Sequence, residues 1–454
     1  MLKKALLVLC FAVLTVSCST QQAAAECPLD ALLERADDRP NIILILTDDQ
    51  PPDTIEMMPV LRDELAAEGI VFTDGFVTTP LCCPSRATIL SGQYAHNHEV
   101  YNNRPPNGGA PKFDPSSTIA TWLHDAGYET ALIGKYLNEY DQLEPLGVVP
   151  PGWSDWKVLL DGGPPHQLFY NYTLSDNGTV VTYGDAPEDL STDVITNYAF
   201  DFIVSSEGPF FLEVSYYAPH QPRNWADRHD DMFRTNEQVS ARRPPNFNEE
   251  DISDKPEWVS LIGREDGERH NTVYQQALRS LQAVDDGIAA ILNGLDCIAQ
   301  RDNTLIVYMS DNGVTWGEHG IPNGKNCPYE ECIVVPFVAY YPDGISQPRE
   351  DDHIVLNIDL APTFADLAGI PIPDSVDGVS LLPLFGSSPP PDWRTEFLIE
   401  HWPTEEGDGS LIPEFYAIRT AEWKYVEYVT GEHELYDLAN DPSELENLYG
   451  LGAY

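Results

Sequence analysis

Two uninterrupted apolar runs in this chain are each followed at once by polar residues. The run NIILILT spans residues 41–47 and is followed by Asp48 and Asp49. In NTLIVYMSDNG, residues 303–313, the apolar part leads into Asp311 and Asn312. A short run that is apolar on both faces of an extended chain predicts a strand buried on both sides of a sheet. The chain is therefore expected to fold around a sheet with helices on its faces.

Helical and extended patterns alternate along much of the chain. Residues 58–69 and 273–294 show helical spacing, whereas 70–78, 129–136 and 208–220 read as extended apolar runs. This alternation predicts an α/β fold with a parallel or mixed sheet flanked by helices. In such sheets ligands bind beyond the carboxyl ends of the strands, so the polar residues there are the first candidates for a functional site.

The length of 454 residues predicts one large domain and one smaller one. Proline and aspartate are concentrated in residues 371–395, which read as a linker. Beyond it, the alternating pattern of EFYAIRTAEWKYVEYV predicts two antiparallel strands joined by a turn. We therefore expect a large domain over residues 38–370 and a small C-terminal subdomain over residues 396–454.

The first 25 residues resemble an export signal. Lys3 and Lys4 precede the apolar stretch ALLVLCFAVLTV, which is too short to cross a membrane. Two processing sites are open: the small residues at 23–25, or the lipoprotein-like LTVSC, which would attach a lipid to Cys18. Either predicts an exported protein that is extracellular, periplasmic or a cell-surface lipoprotein. Only processing at Cys18 would give it a membrane contact, through the lipid anchor.

The net charge of −48 argues against nucleic-acid binding, because phosphates would be repelled. Lysine occurs only eight times, so a lysine inside a motif is noteworthy. Eight cysteines are present, and an exported protein can form disulfides. Cys327 and Cys332 are close enough to bridge a short loop, and Cys27 with Cys297 is a second candidate pair. No pattern typical of a zinc site occurs.

The residues that follow the two predicted strands are candidate metal ligands. Carboxylates and an amide oxygen are hard ligands suited to Ca²⁺ or Mg²⁺. Either pair taken alone is more typical of a turn or a helix cap, and the position after two buried strands is what favours a metal site. The four residues are Asp48, Asp49, Asp311 and Asn312.

The segment CCPSRATILSG predicts a helix that begins near Cys82. Pro84 is tolerated in a first helical turn, and the free N–H groups at a helix start favour an anion. Arg86 adds a planar set of donors. The alternative is a buried pair of thiols, or a disulfide formed by one of them. Adjacent cysteines do not readily pair with each other.

The pattern Cys-x-Pro-Ser-Arg, closed by Ser91 and Gly92, resembles the signature of type I sulfatases. In that family the first cysteine is oxidised to formylglycine, whose hydrate attacks sulfur. The resemblance implies this role for Cys82, which leaves Cys83 as the variable position. It also implies an alkaline-phosphatase-like fold, a large mixed sheet flanked by helices with a small C-terminal α+β subdomain.

The resemblance covers most of the chain. It implies that the four hard ligands hold Ca²⁺, or Mg²⁺ in its place, with the formylglycine at position 82 completing the shell. It implies that Lys135 in GKY, His220 in APHQP and Lys325 in NGKNCPYEE hold the sulfate and the leaving oxygen. The segment ELYDLANDPSELENL matches the C-terminal pattern of the family. Arg86 and the two lysines would neutralise the ester, and His220 would protonate the leaving oxygen.

The segments CCPSRATILSGQYAHNH, GKYLNEY and FYNYTLSDNG look like the branch of N-acetylglucosamine-6-sulfatases and extracellular heparan endosulfatases. Many sulfatases have a histidine two residues after the first lysine, where it helps to collapse the hemiacetal. Leu137 occupies that position here, as in this branch. His220, His96 or His98 would have to replace it, and the last two are also candidates to line a sugar pocket.

We therefore expect an exported sulfuric ester hydrolase that acts on 6-O-sulfated N-acetylglucosamine or related sulfated glycans, after maturation by a formylglycine-generating enzyme. The acidic surface favours exo-action on short glycans over endo-action on polymers. One alternative is a phosphonate or phosphate ester hydrolase of the same superfamily. A second is a non-catalytic surface protein that binds sulfated glycans.

Overall fold

In the part of the chain that the structure describes, ten strands form a mixed sheet at the centre of the molecule. The structure is a computed structural model that describes residues 27, 37–160, 168–235, 237, 239, 242–264, 267–388, 390–403 and 411–452. Its strands are β1 (Asn41–Thr47), β2 (Ile70–Phe72), β3 (Gly75–Phe76), β4 (Glu129–Gly134), β5 (Asp155–Leu160), β6 (Thr173–Asp176), β7 (Thr179–Thr182), β8 (Phe210–Ser215), β9 (Thr304–Ser310), β10 (Phe337–Tyr340), β11 (Arg349–Asp351), β12 (Val355–Leu356), β13 (Glu396–His401), β14 (Phe415–Thr420), β15 (Trp423–Tyr428) and β16 (His433–Asp437).

Strand β1 lies in the middle of the sheet, whose order is β11-β2-β10-β9-β1-β8-β4-β5-β6-β7. It runs parallel to β8 and β9 and is buried along its whole length, as its apolar sequence predicts. Strand β10 is antiparallel to β9, which makes the sheet mixed. The predicted α/β fold with a large mixed sheet is confirmed.

Helices cover both faces of this sheet. The described helices are, in chain order, α1 (Cys82–Ser91), α2 (Ala95–His98), α3 (Ile119–Asp125), α4 (Ser191–Ser205), α5 (Glu257–Leu261), α6 (Gly267–Cys297), α7 (Glu330–Ile333), α8 (Leu360–Leu367) and α9 (Leu382–Phe385). Helix α1 is capped by Gly92, whose N–H donates to the carbonyl oxygen of Thr88 and whose φ of 69° turns the chain out of the helix. That left-handed conformation favours glycine at the end of a helix.

Alternate residues of β1 enter two different cores. Leu44 and Leu46 pack with α1, α3 and α8 on one face. Ile43 and Ile45 pack with α4 and α6 on the other. Because side chains alternate along a strand, a continuous apolar run is what a strand between two helical layers requires.

Two segments differ from the sequence-based expectation. Residues 70–78 do not form one strand, because Thr73 and Asp74 form a turn that divides them into β2 and β3. Strand β2 pairs with β10 and β11, whereas β3 pairs with β12. The helix predicted at 58–69 is shorter, with a wide helical turn over Leu61–Ala66.

The strands β13 to β16 form a separate antiparallel sheet within the described residues. A third apolar core, which includes Ile333 and Phe415, joins this sheet to α7 and to the β3–β12 pair. Lys424 and Arg419 both contact Glu330 of α7, at 3.1 Å and 3.0 Å. The two antiparallel strands predicted in 414–429 are β14 and β15. The predicted domain bounds at 38–370, 371–395 and 396–454 remain predictions.

Disulfides join Cys27 to Cys297 and Cys327 to Cys332. The predicted export signal at 1–25, with Cys18, lies outside the described residues. Among the described helices, we find none with the length and apolar character needed to span a membrane.

Candidate active site

The carboxyl ends of β1 and β9 place four candidate ligands together. Because Thr47 is paired with Ser310, the residues that follow the two strands are neighbours. The backbone N–H of Asp311 donates to the carbonyl oxygen of Thr47 at 3.0 Å. Asp49 has a φ of 64°, a conformation that is uncommon outside glycine and is often found at functional sites.

An acidic cluster forms at this edge of the sheet. Ligand atoms of four buried side chains lie within 4.8 Å of one another: Asp48, Asp49, Cys82 and Asp311. Asn312 is also fully buried, and its Nδ2 donates to Asp49 Oδ1 at 2.6 Å. Three carboxylates so close together require compensating positive charge.

The oxygen atoms of this cluster fit a hard cation. Asn312 Oδ1 is buried and has no hydrogen-bond partner among the described residues, and an unpaired amide oxygen beside carboxylates is suited to a metal ligand. Carboxylate and amide oxygens together favour Ca²⁺ or Mg²⁺ over softer metals. The four predicted ligands are therefore brought together in a group of suitable chemistry.

Lys135 follows β4 and reaches the same cluster. Its Nζ lies 2.5 Å from Asp48 Oδ2 and 4.0 Å from Asp311 Oδ2. Gly134 makes this approach possible, since a Cβ built on it would lie 1.9 Å from the carbonyl oxygen of Ser215. The Lys135 N–H donates to that same carbonyl at 2.7 Å, so the glycine fixes where the lysine leaves the sheet.

Lys325 reaches the cluster from the loop between β9 and α7. The N–H of Asn326 donates to the carbonyl oxygen of Pro80 at 3.0 Å, which holds this loop beside the start of α1. Lys325 Nζ then lies 2.8 Å from Asp49 Oδ1 and 2.7 Å from Cys82 Sγ. The lysine therefore faces both the acidic cluster and the atom expected to react.

Cys82 is the first residue of α1, and its Sγ lies 3.4 Å from Asp48 Oδ1. Burial, followed by the charge of Asp48, raises the pKa of the Cys82 thiol far above its usual range. A thiol in this environment is a poor nucleophile. Cys83 lies in the apolar core with α1, and burial raises its pKa to about 12.

Arg86 lies one helical turn beyond Cys82 and is 2% exposed. Its Nε donates to Asp311 Oδ2 at 2.7 Å, and its Nη1 donates to Ser215 Oγ at 2.5 Å and to the carbonyl of Lys135 at 3.0 Å. The guanidinium thus fixes the positions of the Asp311 side chain and the Lys135 backbone. Its Nη2 has no partner among the described residues.

His220 covers the cluster from the loop after β8. The N–H of Asp48 donates to the carbonyl oxygen of Ala218 at 3.2 Å, which ties this loop to the end of β1. His220 Nδ1 lies 2.8 Å from the carbonyl oxygen of Gln221, so a proton on Nδ1 is favoured. Nε2 lies 3.6 Å from Asp49 Oδ2 and is the nitrogen that faces the site.

The cations set the charge of the cluster. Burial opposes ionisation of Asp48, but Lys135 and the other cations outweigh it and lower the pKa of this carboxyl. The pKa of Asp49 is lowered in the same way, with Lys325 as its main counter-charge. Burial and the charge of Asp48 raise the pKa of Asp311 to about 6.

The other candidate histidines have partners elsewhere. His98 Nε2 lies 3.0 Å from Thr88 Oγ1, and its Nδ1 accepts from the N–H of Val100 at 3.1 Å. His96 Nδ1 pairs with Glu400 at 2.7 Å. Leu137 is buried in the core. Of the three histidines that were candidates to replace the one absent at position 137, His220 is the one that faces the cluster.

Sequence reasoning missed residues that support the site. Ser215 holds Arg86, and Asn103 Oδ1 accepts the backbone N–H of Cys83 at 2.9 Å. Serine and asparagine are too common in loops and strand ends to be singled out from sequence. Arg223 was also missed, although a basic residue three positions after His220 in an acidic chain was a usable signal.

Two protein-family models match this chain. The model for sulfatases matches residues 40–370, and the model for the C-terminal region of N-sulphoglucosamine sulphohydrolase matches residues 317–454. The first match covers most of the large sheet and every predicted site residue. The second covers β13 to β16.

Relatives of this chain are found in animals. Human N-acetylglucosamine-6-sulfatase is 33% identical over 82% of this chain and 68% of its own length. A Sulf-1 homolog of Drosophila melanogaster, an extracellular sulfatase, is 36% identical over 80% of this chain. The chain spans about a third of that relative (33%) and about half of a Caenorhabditis elegans Sulf-1 homolog (49%).

A solved structure also resembles this one closely. It is a protein in complex with its substrate, D-glucosamine-2-N,6-O-disulfate, and its TM-score against this chain is 0.76. The two are 27% identical, and the match covers 91% of this chain and 94% of the other.

Proposed function

The chain belongs to the sulfatase family, and from this premise we propose that it hydrolyses sulfate esters of sulfated glycans. The observation that carries the proposal is the contact of Cys82 with both Lys325 and the acidic cluster. The first residue of the Cys-x-Pro-Ser-Arg pattern thereby lies at the point where positive charge and hard oxygen ligands meet.

We propose that the site takes a divalent cation, Ca²⁺ with Mg²⁺ as the alternative. The residues that would hold it are Asp48, Asp49, Asp311, Asn312 and the modified residue at position 82. When bound, such an ion would offset negative charge on the sulfate oxygens. The unpaired Oδ1 of Asn312 supports this assignment.

We further propose that a formylglycine-generating enzyme converts Cys82 to formylglycine. The hydrated aldehyde would supply the hydroxyl that attacks sulfur. Support comes from the Cys-x-Pro-Ser-Arg pattern and from the raised pKa of the thiol, which makes the unmodified side chain unsuitable as a nucleophile.

The remaining side chains divide the other tasks. Lys135, which contacts Asp48, and Lys325, which contacts Cys82 Sγ, would neutralise the sulfate oxygens. Arg86 positions Asp311 and the Lys135 backbone. His220 engages the carbonyl of Gln221 through Nδ1, so Nε2 would deliver a proton to the leaving alkoxide from the doubly protonated ring. Burial lowers the pKa of His220, which makes that proton easier to release.

We propose 6-O-sulfated N-acetylglucosamine, or a glycan that ends in it, as the substrate. The name of the human relative and the bound sugar of the solved complex support this class. We also propose that the protein is exported, as an extracellular, periplasmic or lipid-anchored cell-surface protein. The two disulfides and the extracellular relative support export.

The test is ester hydrolysis by the purified, metal-loaded protein. N-acetylglucosamine-6-sulfate is compared with N-acetylglucosamine-6-phosphate and with a phosphonate monoester at equal concentration. We expect release of sulfate with kcat/KM far above that for either phosphorus ester. Preferred hydrolysis of a phosphorus ester would favour the alternative hydrolase, and tight sugar binding without any hydrolysis would favour a non-catalytic binding protein.

A further inference from the structure

Arg223 is a buried cation at the edge of the proposed site. Its side chain belongs to the loop that carries His220, and its N–H donates to the His220 carbonyl oxygen at 3.1 Å. The residue is 5% exposed. Its Nη2 donates to Asn323 Oδ1, and Asn323 precedes Lys325 by two positions. The guanidinium therefore lies between the two loops that bring His220 and Lys325 to the cluster.

Within the described part of the chain, the charge of Arg223 has no direct counter-ion. Arg86, Lys135 and Lys325 each pair with an aspartate of the cluster. Arg223 forms no ion pair with any residue that the structure describes, and its buried Nε has no hydrogen-bond partner among those residues. Asp49 stabilises the charged Arg223 side chain only at longer range, and the like charge of Arg269 destabilises it.

An arginine keeps its charge, so an unpaired buried guanidinium costs free energy. The Trp316 ring, whose centroid lies 5.7 Å from the guanidinium carbon, offsets part of this cost. The backbone is also strained, since Arg223 has a φ of 62°. Strain and unpaired charge persist at one residue mainly where function maintains them.

We propose that Arg223 binds a second anionic group of the substrate, a sulfate or a carboxylate, beside the ester that is hydrolysed. The proposal rests on the function proposed above. The guanidinium offers a planar fork of donors, which suits both kinds of oxyanion. A doubly anionic sugar would therefore contact the lysines with one group and Arg223 with the other.

The charge of the whole chain strengthens this inference. With a net charge of −48, the protein repels anions over most of its surface. A substrate with two negative groups would be bound only if each group met its own cation. Arg223 supplies a cation that the acidic cluster does not already neutralise.

Three substrates separate the sources of the second anion. N-acetylglucosamine-6-sulfate carries one anionic group, glucosamine-2-N,6-O-disulfate adds a second sulfate, and a 6-sulfated glucosamine linked to a uronic acid adds a carboxylate. In Arg223→Gln we expect kcat/KM for at least one doubly anionic substrate to fall about tenfold or more, mainly through KM. The value for the singly charged sugar should fall less, because that sugar offers no second anion to Arg223.

The controls keep the test decisive. Arg234→Gln alters an exposed arginine of the same region and should change none of the three values. Arg223→Lys keeps the charge without the fork, should retain part of the preference, and provides the same comparison if the glutamine variant does not fold. Equal losses on all three substrates, or no loss on any, would overturn the role of Arg223. Absence of hydrolysis by the unaltered protein would instead refute the proposed function.

Discussion

The two adjacent cysteines have opposite environments, although they are neighbours in sequence. Cys82 Sγ contacts Lys325 and Asp48, whereas Cys83 lies in the apolar core. We expect Cys82→Ala to lower kcat/KM by more than about a thousandfold while the fold is kept. Cys83→Ala should retain measurable activity. Sulfate release and thermal unfolding of both variants provide the check, and the reverse order of sensitivity would refute the assignment.

Asp311 connects the proposed metal site to Arg86. Asp311→Ala removes one of the hard ligands and leaves the buried Arg86 without its carboxylate. We expect loss of the bound divalent ion and of most activity. Metal analysis by mass spectrometry gives the first readout, with the exposed Asp343→Ala as the matched control. Zinc in the active protein, without calcium or magnesium, would show that the site is misread.

At the scale of single residues, sequence reasoning found the charged residues of the site but not the residues whose hydrogen bonds position them. Asp48 and Asp311 were predictable because each follows an apolar run in the sequence. The structure brings them together because β1 and β9 are adjacent in the sheet. Ser215 and Asn103 were not, because a single hydrogen bond to Arg86 or to a helix N–H leaves no pattern in a sequence. Arg223 offered a signal as a basic residue three positions after His220, but its contact with Asn323 depends on a loop conformation that only the structure shows.

At the scale of elements, the long apolar runs were predictable, and the short strands were not. Strands β1 and β9 match their predicted positions because both are buried on both faces, which produces a continuous apolar run in the sequence. Strands β2 and β3 were predicted as one, since the turn at Thr73 and Asp74 is determined by pairing with different partners. Short strands depend on tertiary contacts more than on their own sequence.

Strand β4 ends at a glycine whose replacement should displace Lys135. In Gly134→Ala the new Cβ would meet the Ser215 carbonyl at 1.9 Å, at a backbone φ of 119°. We expect a loss of stability of about 2 kcal/mol or more, together with a large loss of activity. Gly431→Ala is the control, because its φ of 85° is also positive but no atom lies within 4 Å. Urea unfolding compares the two, and equal losses would contradict the steric argument.

Strand β8 buries a carboxyl group, Glu213, that is 3% exposed. Burial raises its pKa from 4.5 to about 7. A carboxyl whose pKa is higher in the folded protein binds more protons when folded. The contribution of Glu213 to the free energy of unfolding is therefore largest below pH 4.5 and falls as the pH rises to about 7.

The predicted difference between pH 4.5 and a pH above 7 is about 3 kcal/mol from this group. Glu213→Gln should remove that part of the pH dependence and be more stable than the unaltered protein at pH 8. Urea unfolding at both pH values measures it, with the exposed Glu427→Gln as control. Parallel pH profiles for the unaltered protein and Glu213→Gln would contradict the assignment.

At the scale of the whole molecule, the surface charge opposes the substrate that the site attracts. The net charge of −48 should repel a long polyanion, whereas a short sugar needs only the cations of the pocket. We expect N-acetylglucosamine-6-sulfate, or an oligosaccharide ending in it, to have a higher kcat/KM than long heparan sulfate. The preference should weaken as salt is added, because screening shortens the reach of charge to about 8 Å at physiological ionic strength.

Sulfate release from both substrates, at matched ester concentration across a salt series, measures this preference. A preference that salt does not change would assign the discrimination to pocket shape. A clear preference for the polymer at low salt would refute exo-action on short glycans.

The central claim is that Cys82 becomes the nucleophile of a sulfatase. Mass spectrometry of the peptide that contains Cys82, taken from protein that releases sulfate, tests it most directly. The account predicts that the sulfur and two hydrogens of residue 82 are replaced by one oxygen, while Cys83 keeps its thiol. An active protein whose Cys82 is an unmodified cysteine would contradict it.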